Sequence, residues 1–521
     1  MKVISTTTRT DESASVGKPA DSASSRAFVG GIWTSASQLA PYAYTTVVSI
    51  IAARVLGPDD MGRQSFITFV VVAAATVCTS GLSYSITRFV GELSGQGRER
   101  SVRTLVGLSW RLAALASAVG AAVLVLVALL GAEPQAAWLF GAVAVLASGL
   151  HKVPASVLIG GQRWRAQSVV VLVTGAASVV ATIAALALGW GITGMLAVTA
   201  AVALAMLAWS SVLMRRYVTA LPGPPAPLGG TKVSMIRFAA ANSIPVILSF
   251  VVLQRSEFFF LDRDSTDDQI ALYSIAFSAM LALLAVPNAV RMVVIPSVSR
   301  LVGAGEHDRI RRGFSRLVRL SVLITFPMAA GALALGPALL PLVYGEQYEG
   351  AGDAFLILVA PLPLVPLSSA ASALLMGYGL IRVPTLVSAL AAAVDIGAAA
   401  LLVPRYDAIG AALANVLALL AATLPLLPYC LRRLGGIEVS PRDIARIFTA
   451  SACAGAAAWA TLLLGESWAV FMLALLAGVA IFSVLSVLLR VLPAADADWL
   501  AGMARARGGA RAEAAIRRLS P

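Results

Sequence analysis

Apolar runs about as long as a membrane-spanning helix recur along the whole chain and are separated by short polar segments. Each run is long enough to cross the roughly 30 Å hydrocarbon core of a bilayer as a helix. The pattern therefore predicts an all-α polytopic membrane protein with about fourteen transmembrane helices. These predicted helices span residues 28–53, 65–86, 106–130, 136–158, 168–189, 191–213, 236–261, 270–295, 319–343, 353–376, 383–403, 408–430, 444–464 and 467–491.

The composition agrees with this class. The chain has 521 residues, of which 59% are hydrophobic and 12% charged, and its mean hydropathy is +0.86. Soluble domains carry about a quarter charged residues. The polar N-terminal segment is too long and too acidic for a cleavable signal, so we expect it to be retained as a disordered tail. The three cysteines show no metal-type spacing, which predicts neither a disulfide framework nor a zinc site.

The basic residues fix the expected orientation. When the fourteen helices are threaded in order, five of the 39 Lys and Arg residues fall on one side of the membrane: Arg54, Arg63, Arg255, Arg263 and Arg405. The positive-inside rule makes that side the outer one. We therefore expect a plasma-membrane protein with both termini in the cytoplasm. The net charge of +13 then lies in short inner loops, where anionic lipid headgroups rather than nucleic acid are the partner.

Short stretches of the first half return in the second half, in the same order and at nearly one period. The matches pair Gly160 with Gly377, Gly194 with Gly410, and Ser65 with Ser274. They predict two parallel six-helix lobes of one fold, with two extra C-terminal helices outside the duplication. The expected organisation is a disordered tail (1–27), an N-lobe of helices one to six (28–213), a Pro- and Gly-rich cytoplasmic linker (214–235), a C-lobe of helices seven to twelve (236–430), helices thirteen and fourteen (431–492) and a basic cytoplasmic tail (493–521).

Several sequence motifs, in their order along the chain, resemble those of a known family. They are ARVLGPDDMGRQSF (53–66), GLSYSITRFVGEL (81–93), IALYSIAFS (270–278), IPSVSRL (295–301), LVYGEQYEGA (342–351) and LLVPRYDAIGAALANVLA (401–418). Over roughly residues 28–490 the chain resembles the polysaccharide flippases of the multidrug, oligosaccharidyl-lipid and polysaccharide exporter superfamily.

The resemblance implies a twelve-helix, two-lobed exporter core with two added helices. Such a protein moves undecaprenyl-diphosphate-linked sugars to the outer leaflet by alternating access. Asp395 stands where members of the family often have Asn, so no cation-coupling role is carried over to it. A polysaccharide polymerase or glycosyltransferases are the protein partners that such a transporter would serve.

No catalytic constellation is visible in the sequence. The chain has two histidines and no Walker-type phosphate loop, so we expect a transporter without a cofactor rather than an enzyme. A peptidoglycan lipid-precursor flippase and a multidrug exporter of the same superfamily are the alternatives. A membrane sugar polymerase or ligase is the alternative from another class, and it predicts a large outer loop that this sequence lacks.

A flippase for an anionic sugar lipid needs a water-accessible cavity lined by basic groups and amides, and intramembrane polar residues are candidates for that lining. The candidates are Gln38, His151, Lys152, Asn242, Gln254, Arg255, Glu257, Asn288, Arg291, Asp395 and Asn415.

Each candidate also has a structural interpretation. Lys152 and Arg291 lie near inner helix ends, where they could snorkel to lipid phosphates, and His151 could be a hydrogen-bonded core residue. The three asparagines could cross-link helices. Asp395 is the deepest carboxylate and could pair with a nearby Asn or Ser.

Arg255 and Glu257 interrupt the apolar pattern of the seventh helix. Two positions apart, they would point about 200° apart around a regular helix, so both cannot face one cavity. We expect Arg255 to contact the anionic substrate and Glu257 to hold a polar partner across the lobe interface. The alternative is a structural ion pair of Glu257 with Arg54 or another outer residue. Pro245 would loosen the helix and allow it to bend.

Overall fold

The protein is a bundle of long helices. The computed structural model describes residues 20–253, 256–284, 306–378, 380, 382–437, 439–465, 467–492, 496–498 and 501. The helices within this part of the chain are α1 (Ala20–Leu56), α2 (Pro58–Gly95), α3 (Glu99–Leu129), α4 (Gln135–Gly160), α5 (Trp164–Ala187), α6 (Gly191–Thr219), α7 (Thr231–Leu253), α8 (Phe258–Asp264), α9 (Asp267–Leu284, its described part), α10 (His307–Tyr344), a 3-10 turn (Glu346–Tyr348), α11 (Ala351–Val359), α12 (Leu364–Gly377), α13 (Arg382–Arg433), α14 (Pro441–Leu462) and α15 (Trp468–Leu488).

The expected all-α polytopic class is confirmed. Ten described helices are long and apolar enough to span a membrane, or eleven when α11 and α12 count as one broken span bent by 45°. Helix α13 covers two predicted spans and is kinked at Asp407, whose φ is 46°. The total of fourteen spans stays a prediction. Helix α1 begins at Ala20, inside the segment expected to be a disordered tail, and residues 1–19 lie outside the described part of the chain.

The predicted seventh helix (236–261) is not one regular helix. The described part of α7 runs to Leu253, and α8 begins at Phe258 after a turn at Ser256 and Glu257. The 200° argument for Arg255 and Glu257 assumes continuous helical geometry, so it does not apply at this break.

Hydrophobic packing differs between the two ends of the bundle. We use N-lobe for α1–α6 and C-lobe for α7–α13. At the predicted outer end, where α1 meets α2, one core contains side chains of both lobes, including Phe69 and Tyr273. At the predicted inner end the described residues form two cores: Leu105 and Val157 belong to one that joins the N-lobe to the start of α7, and Phe314 belongs to a C-lobe core. The lobes therefore converge at the outer end.

Two glycines of α2 allow its backbone to touch the C-lobe. A Cβ atom at Gly62 would lie 1.7 Å from the carbonyl oxygen of Asp267, and one at Gly81 would lie 1.8 Å from that of Ala239. Any larger residue would push these helices apart. Small residues at helix contacts in membranes serve this close packing. The N-lobe and C-lobe thus meet along α2.

The segment that joins the lobes is held onto the N-lobe. The guanidinium group of Arg103 on α3 donates hydrogen bonds of 2.5–3.2 Å to the carbonyl oxygens of Val218, Thr219, Leu221 and Gly223. The predicted linker (214–235) is therefore anchored to α3 over its first part.

The chain after α15 returns to the inner end of the C-lobe. Asp496 is fully buried and forms ion pairs with Arg316 (2.8 Å) and Arg319 (2.5 Å) of α10. Burial by itself would raise the pKa of this carboxyl group, but the hydrogen bonds and charges of Arg319 and Arg316 outweigh it and lower the pKa. This clamp joins the segment after α15 to α10.

Candidate functional site

A cavity with hydroxyl groups in a largely apolar wall lies between the N-lobe and the C-lobe helix α9. It has a volume of about 620 Å³ and is bounded by α1, α2, α5, α6 and α9. Its described lining includes hydroxyl and amide side chains but no charged one. Four of the helices each contribute two polar residues one turn apart: Thr45 and Ser49, Gln64 and Thr68, Ser178 and Thr182, and Ser274 and Ser278. We call this space the hydroxyl cavity.

Most of the cavity's described polar groups are already hydrogen-bonded within the protein. The Gln64 side-chain amide donates to the Thr68 hydroxyl (2.8 Å), and the Ser274 hydroxyl donates to that of Ser65 (2.9 Å). Ser49 is different. It is only 8% exposed, and its hydroxyl has no hydrogen-bond partner among the described residues. Because an unpaired buried hydroxyl is costly, Ser49 is suited to a hydrogen bond with a polar group that enters the cavity.

The C-lobe contains a buried pair of carboxyl groups. Glu257, in the turn before α8, and Asp395, on α13, are both fully buried. The Ser256 hydroxyl donates to Asp395, and the Asn415 side chain donates to Glu257 over 3.0 Å. The two carboxyl groups are also close enough for their charges to interact. We call Glu257 and Asp395 the acid pair.

The acid pair is electrostatically unfavourable when both of its carboxyl groups are ionised. One oxygen of each group, Oε2 of Glu257 and Oδ1 of Asp395, has no donor among the described residues. Two ionised carboxylates so close together and away from water repel each other strongly. The arrangement is therefore favoured when at least one of the two groups is protonated or a positive charge lies beside the pair.

Polar contacts close the lobes together at the predicted outer end. The Tyr348 hydroxyl, just before α11, donates to the carbonyl of Ala53 on α1 (2.9 Å). The guanidinium of Arg54 donates to the carbonyls of Leu342 and Val343 on α10, at 2.7 and 2.6 Å. These contacts hold the outer ends of α1 and α10 against each other.

One ion pair also joins the lobes at this end. Arg63 of α2 contacts Asp262 of α8 at 3.0 Å and also donates to the carbonyl of Glu133. Partial burial raises the pKa of Asp262, and the charge of Arg63 offsets only part of this effect. The pair is about one-third exposed, with 27% and 32% of the two side chains accessible.

A third polar group lies between α4, α5 and α6. The imidazole Nε2 of His151 lies 3.2 Å from the Ser210 hydroxyl and 3.4 Å from the Gln167 amide, and Ser210 donates to the Gln167 carbonyl oxygen at 3.2 Å. These three side chains satisfy one another inside the N-lobe. His151 is thus part of a helix-to-helix network.

Comparison with known proteins places the chain in a family. The family described as "Polysaccharide biosynthesis protein" matches residues 51–353, which is more than half of the chain. The chain belongs to the polysaccharide biosynthesis protein family. No significant match is found among curated proteins.

Solved structures show which fold this family member has. The lipid II flippase MurJ in an inward closed conformation superposes with a TM-score of 0.68 at 13% identity, covering 88% of this chain and 98% of that one. An inward-facing multidrug resistance MATE transporter of the MOP superfamily gives 0.62 at 12% identity, covering 75% and 94%. The Vibrio cholerae MATE transporter VcmN in the bent form gives 0.54 at 18% identity, covering 80% and 99%. The fold is that of MOP-superfamily flippases and exporters.

In the structure of this polysaccharide biosynthesis family member, the predicted site residues do not form one cluster. Glu257 and Asp395 come together, with Asn415 as a partner of Glu257. Arg54 donates to backbone carbonyls of α10 and forms no ion pair with Glu257, so the alternative pair of Glu257 with another outer residue stays a prediction. The Asn242 side chain donates to the carbonyl one turn earlier in its own helix. The Lys152 side chain is exposed.

The remaining predicted residues cannot be placed. Gln254, Arg255, Asn288 and Arg291 lie outside the described residues, and so does the side chain of Gln38. Their proposed roles therefore rest on the sequence alone.

The hydroxyl cavity was not predicted from the sequence. None of the predicted site residues with a described side chain lines it. The available signal was the repeated pairing of Ser, Thr or Gln at positions i and i+4, which puts both side chains on one helix face. Hydroxyls in apolar helices often bond only to their own backbone, as Thr174 does to Val170 (2.7 Å), so the pairing is weakly specific.

Proposed function

We propose that this protein moves undecaprenyl-diphosphate-linked oligosaccharide from the inner to the outer leaflet of the plasma membrane for polysaccharide biosynthesis. The observation that carries the proposal is the packing of the described residues: both lobes share one core at the outer end, and at the inner end there are two cores, one of which joins the start of α7 to the N-lobe. Such a bundle can exchange one open end for the other by rocking its lobes, which is alternating access. Membership of the polysaccharide biosynthesis family supports a sugar-bearing lipid as cargo.

In this proposal both termini are cytoplasmic, and the closed end faces outward. The present arrangement is then an inward-facing state, ready to receive a lipid from the inner leaflet. A glycosyltransferase would supply the substrate at the inner side, and a polymerase would consume it at the outer side.

The acid pair supports a source of energy for this movement. A proton or cation that enters this site from the outer side and leaves it on the inner side would release the energy of an inward ion gradient. That cycle would couple transport to an ion gradient. Arg255 directly precedes this turn in the sequence, and we retain it as the proposed contact for the anionic diphosphate.

A second candidate is transport of the peptidoglycan lipid precursor. The observation that favours it is the fold match to the lipid II flippase over 88% of this chain. A third candidate function is the export of cationic drugs, because the fold also matches a multidrug resistance transporter.

Reconstituted transport distinguishes these cargoes. The purified protein in liposomes is given one fluorescent substrate at a time: undecaprenyl-diphosphate-linked N-acetylglucosamine, lipid II or ethidium. Transfer between leaflets, or across the bilayer for ethidium, is followed with a membrane-impermeant quencher. We expect acceleration of the first lipid by the intact protein but not by a heat-denatured sample. Faster movement of lipid II alone, or of ethidium alone, would replace the proposed cargo.

A further inference from the structure

The hydroxyl cavity has the chemistry of a site for an uncharged, hydroxyl-rich group. Each Ser and Thr hydroxyl donates one hydrogen bond and accepts two, so it can pair with either end of another hydroxyl. Ser49 is buried in the wall of the cavity and has no partner among the described residues. A ligand hydroxyl that pairs with Ser49 would remove the cost of this unpaired group.

The cavity is poorly suited to an ion. The described lining has no charged side chain that could balance a diphosphate or a cation. Charge without a partner is expensive in a low-dielectric setting. The volume of about 620 Å³ falls within the range of roughly 300–1,000 Å³ that small-molecule sites occupy.

The cavity wall offers aromatic surface beside hydroxyl groups, which matches the apolar C–H face and the polar hydroxyls of a sugar ring. Tyr44 and Phe69 present aromatic surface to the cavity, and the Tyr44 hydroxyl is fixed by a hydrogen bond to the Leu172 carbonyl (3.1 Å). Rigid aromatic rings of this kind offer apolar area beside the polar groups. A sugar can place its C–H face against the rings and its hydroxyls against Ser49 and Thr182.

We propose that the hydroxyl cavity binds an uncharged sugar residue of the transported lipid, while the diphosphate binds elsewhere. The proposal rests on the proposed function, because it assigns one part of that cargo to one lobe. It predicts that the sugar adds to the affinity independently of the anionic group. It also places the sugar next to α9, the C-lobe helix that contributes Ser274 and Ser278 to the wall.

The test compares two lipids on the full-length protein in nanodiscs. The probes are undecaprenyl diphosphate and undecaprenyl-diphosphate-linked N-acetylglucosamine, and the dissociation constant of each is measured by native mass spectrometry. We expect the wild type to bind the sugar-bearing lipid about tenfold more tightly, as two additional hydrogen bonds would give. The double variant Ser49→Ala, Thr182→Val should lose this preference and keep its affinity for undecaprenyl diphosphate.

The control removes two hydroxyls that lie outside the cavity. Ser109 and Thr174 are buried, and each donates to a carbonyl of its own helix. The variant Ser109→Ala, Thr174→Val should keep the tenfold preference. An equal loss of affinity for both lipids in the cavity variant would assign a structural role to Ser49 and Thr182 and overturn the proposal.

Failure of this inference is distinguishable from failure of the proposed function. Equal, measurable affinity of the wild type for both lipids overturns the sugar site but leaves the flippase proposal standing. Binding of neither lipid overturns both.

A labelling experiment covers the case in which the double variant does not fold. Ser49→Cys is introduced after replacement of Cys78, Cys430 and Cys453 by Ala, and alkylation of the thiol by N-ethylmaleimide is timed. The sugar-bearing lipid should slow alkylation, and undecaprenyl diphosphate should not. Equal protection by both lipids, or by neither, would overturn the proposal.

Discussion

The two lobes share one architectural plan but carry different polar chemistry. The N-lobe encloses a cavity whose described lining is uncharged, with Ser49 as its unpaired hydroxyl. The C-lobe buries Glu257 and Asp395 against each other instead. Hydroxyls can exchange partners at little cost, whereas a buried carboxyl pair responds to a proton or a cation. The difference suggests a division of roles, with the neutral cargo group in one lobe and the energy-coupling charge in the other.

The lobes meet where their repeated sequences correspond. Ser65 and Ser274 were paired by the internal repeat, and their hydroxyls are 2.9 Å apart in the structure. Equivalent positions touch in this way when an approximate two-fold axis passes between them. In the proposed transport cycle these two related units would move about this common contact. Four predictions test the comparison of the lobes.

The largest expected effect comes from locking that contact. Cysteines at Ser65 and Ser274 would lie close enough for a disulfide after a small side-chain adjustment. If the lobes must separate here to open outward, oxidation of the double variant Ser65→Cys, Ser274→Cys should abolish lipid transport. Reduction should restore it. Transport is measured in proteoliposomes before and after dithiothreitol, with Cys78, Cys430 and Cys453 replaced beforehand.

Each single-cysteine variant is the control and should transport equally under both conditions. Undiminished transport by the fully cross-linked protein would show that α2 and α9 do not separate during the cycle.

The second prediction separates the roles of the lobes directly. Glu257→Gln replaces one titratable carboxyl group of the acid pair by an amide, and the new amide can donate to the unpaired oxygen of Asp395. We expect the melting temperature to be kept or raised. Transport driven by an ion gradient should fall about ten- to a hundredfold, as loss of one charge-assisted contact would give. Sugar selectivity should persist.

The N-lobe variant Ser49→Ala, Thr182→Val is the matched comparison. It should lose sugar selectivity and keep its dependence on the ion gradient. If Glu257→Gln changes sugar selectivity as well, the two lobes do not divide the chemistry as proposed.

The helices could be predicted from sequence because their signal is local. Each apolar run is read from neighbouring residues, and every predicted span overlaps a described helix. The breaks were harder to predict. The turn at Ser256 and Glu257 lies within an apolar stretch, and there the charged residues suggested function rather than the end of a helix.

Most partners within the sites could not be predicted, since they depend on tertiary contacts. The pairing of Asp395 with a Ser was expected and is found with Ser256, but the partner of Glu257 lies in the same lobe and not across the lobe interface. Asn415 reaches Glu257 across 158 positions of sequence, and no local pattern connects them. Glu257 and Asp395 were both identified as candidates because buried carboxyls are conspicuous in a membrane helix. Ser49 was not, because its importance depends on what surrounds it and not on its residue type.

The third prediction concerns the anchoring of the C-lobe at its inner end. Asp496→Asn should lower the free energy of unfolding by about 1–3 kcal/mol at neutral pH, because two charge-assisted contacts are weakened while Arg316 and Arg319 can regain some water. The folded-state pKa of Asp496 is lowered. The ionised carboxylate therefore stabilises the fold above its unfolded pKa of about 3.9, and this advantage disappears as the pH falls through the lower folded value.

Thermal unfolding of both proteins should thus show a constant difference from pH 8 to about pH 5 that shrinks below about pH 4. Asp443→Asn, which disrupts an exposed pair with Arg446 at 3.9 Å, is the control and should have little effect. A difference that grows on acidification would contradict the clamp.

The smallest effect is expected at the ion pair between the lobes. Arg63 and Asp262 are partly exposed, and Arg63 keeps its contact with the Glu133 carbonyl when the carboxylate is removed. Asp262→Asn should therefore change the free energy of unfolding by less than about 1 kcal/mol at neutral pH. The pH dependence has the opposite sign to that of Asp496. Because burial raises the folded-state pKa of Asp262, the folded protein binds the proton more tightly, and the wild type should gain stability relative to the variant as the pH falls from 7 towards about 4.

Asp264→Asn is the matched control for this last measurement, since it removes a carboxylate from the same helix and leaves the Arg63 contact intact. Melting temperatures of the three proteins across this pH range provide the comparison. A loss of stability in Asp262→Asn as large as that expected for Asp496→Asn would mean that charge, and not only packing around Ser65 and Ser274, holds the lobes together. In that case the outer closure would weaken with added salt, because partly exposed ion pairs are screened whereas the buried serine contact is not.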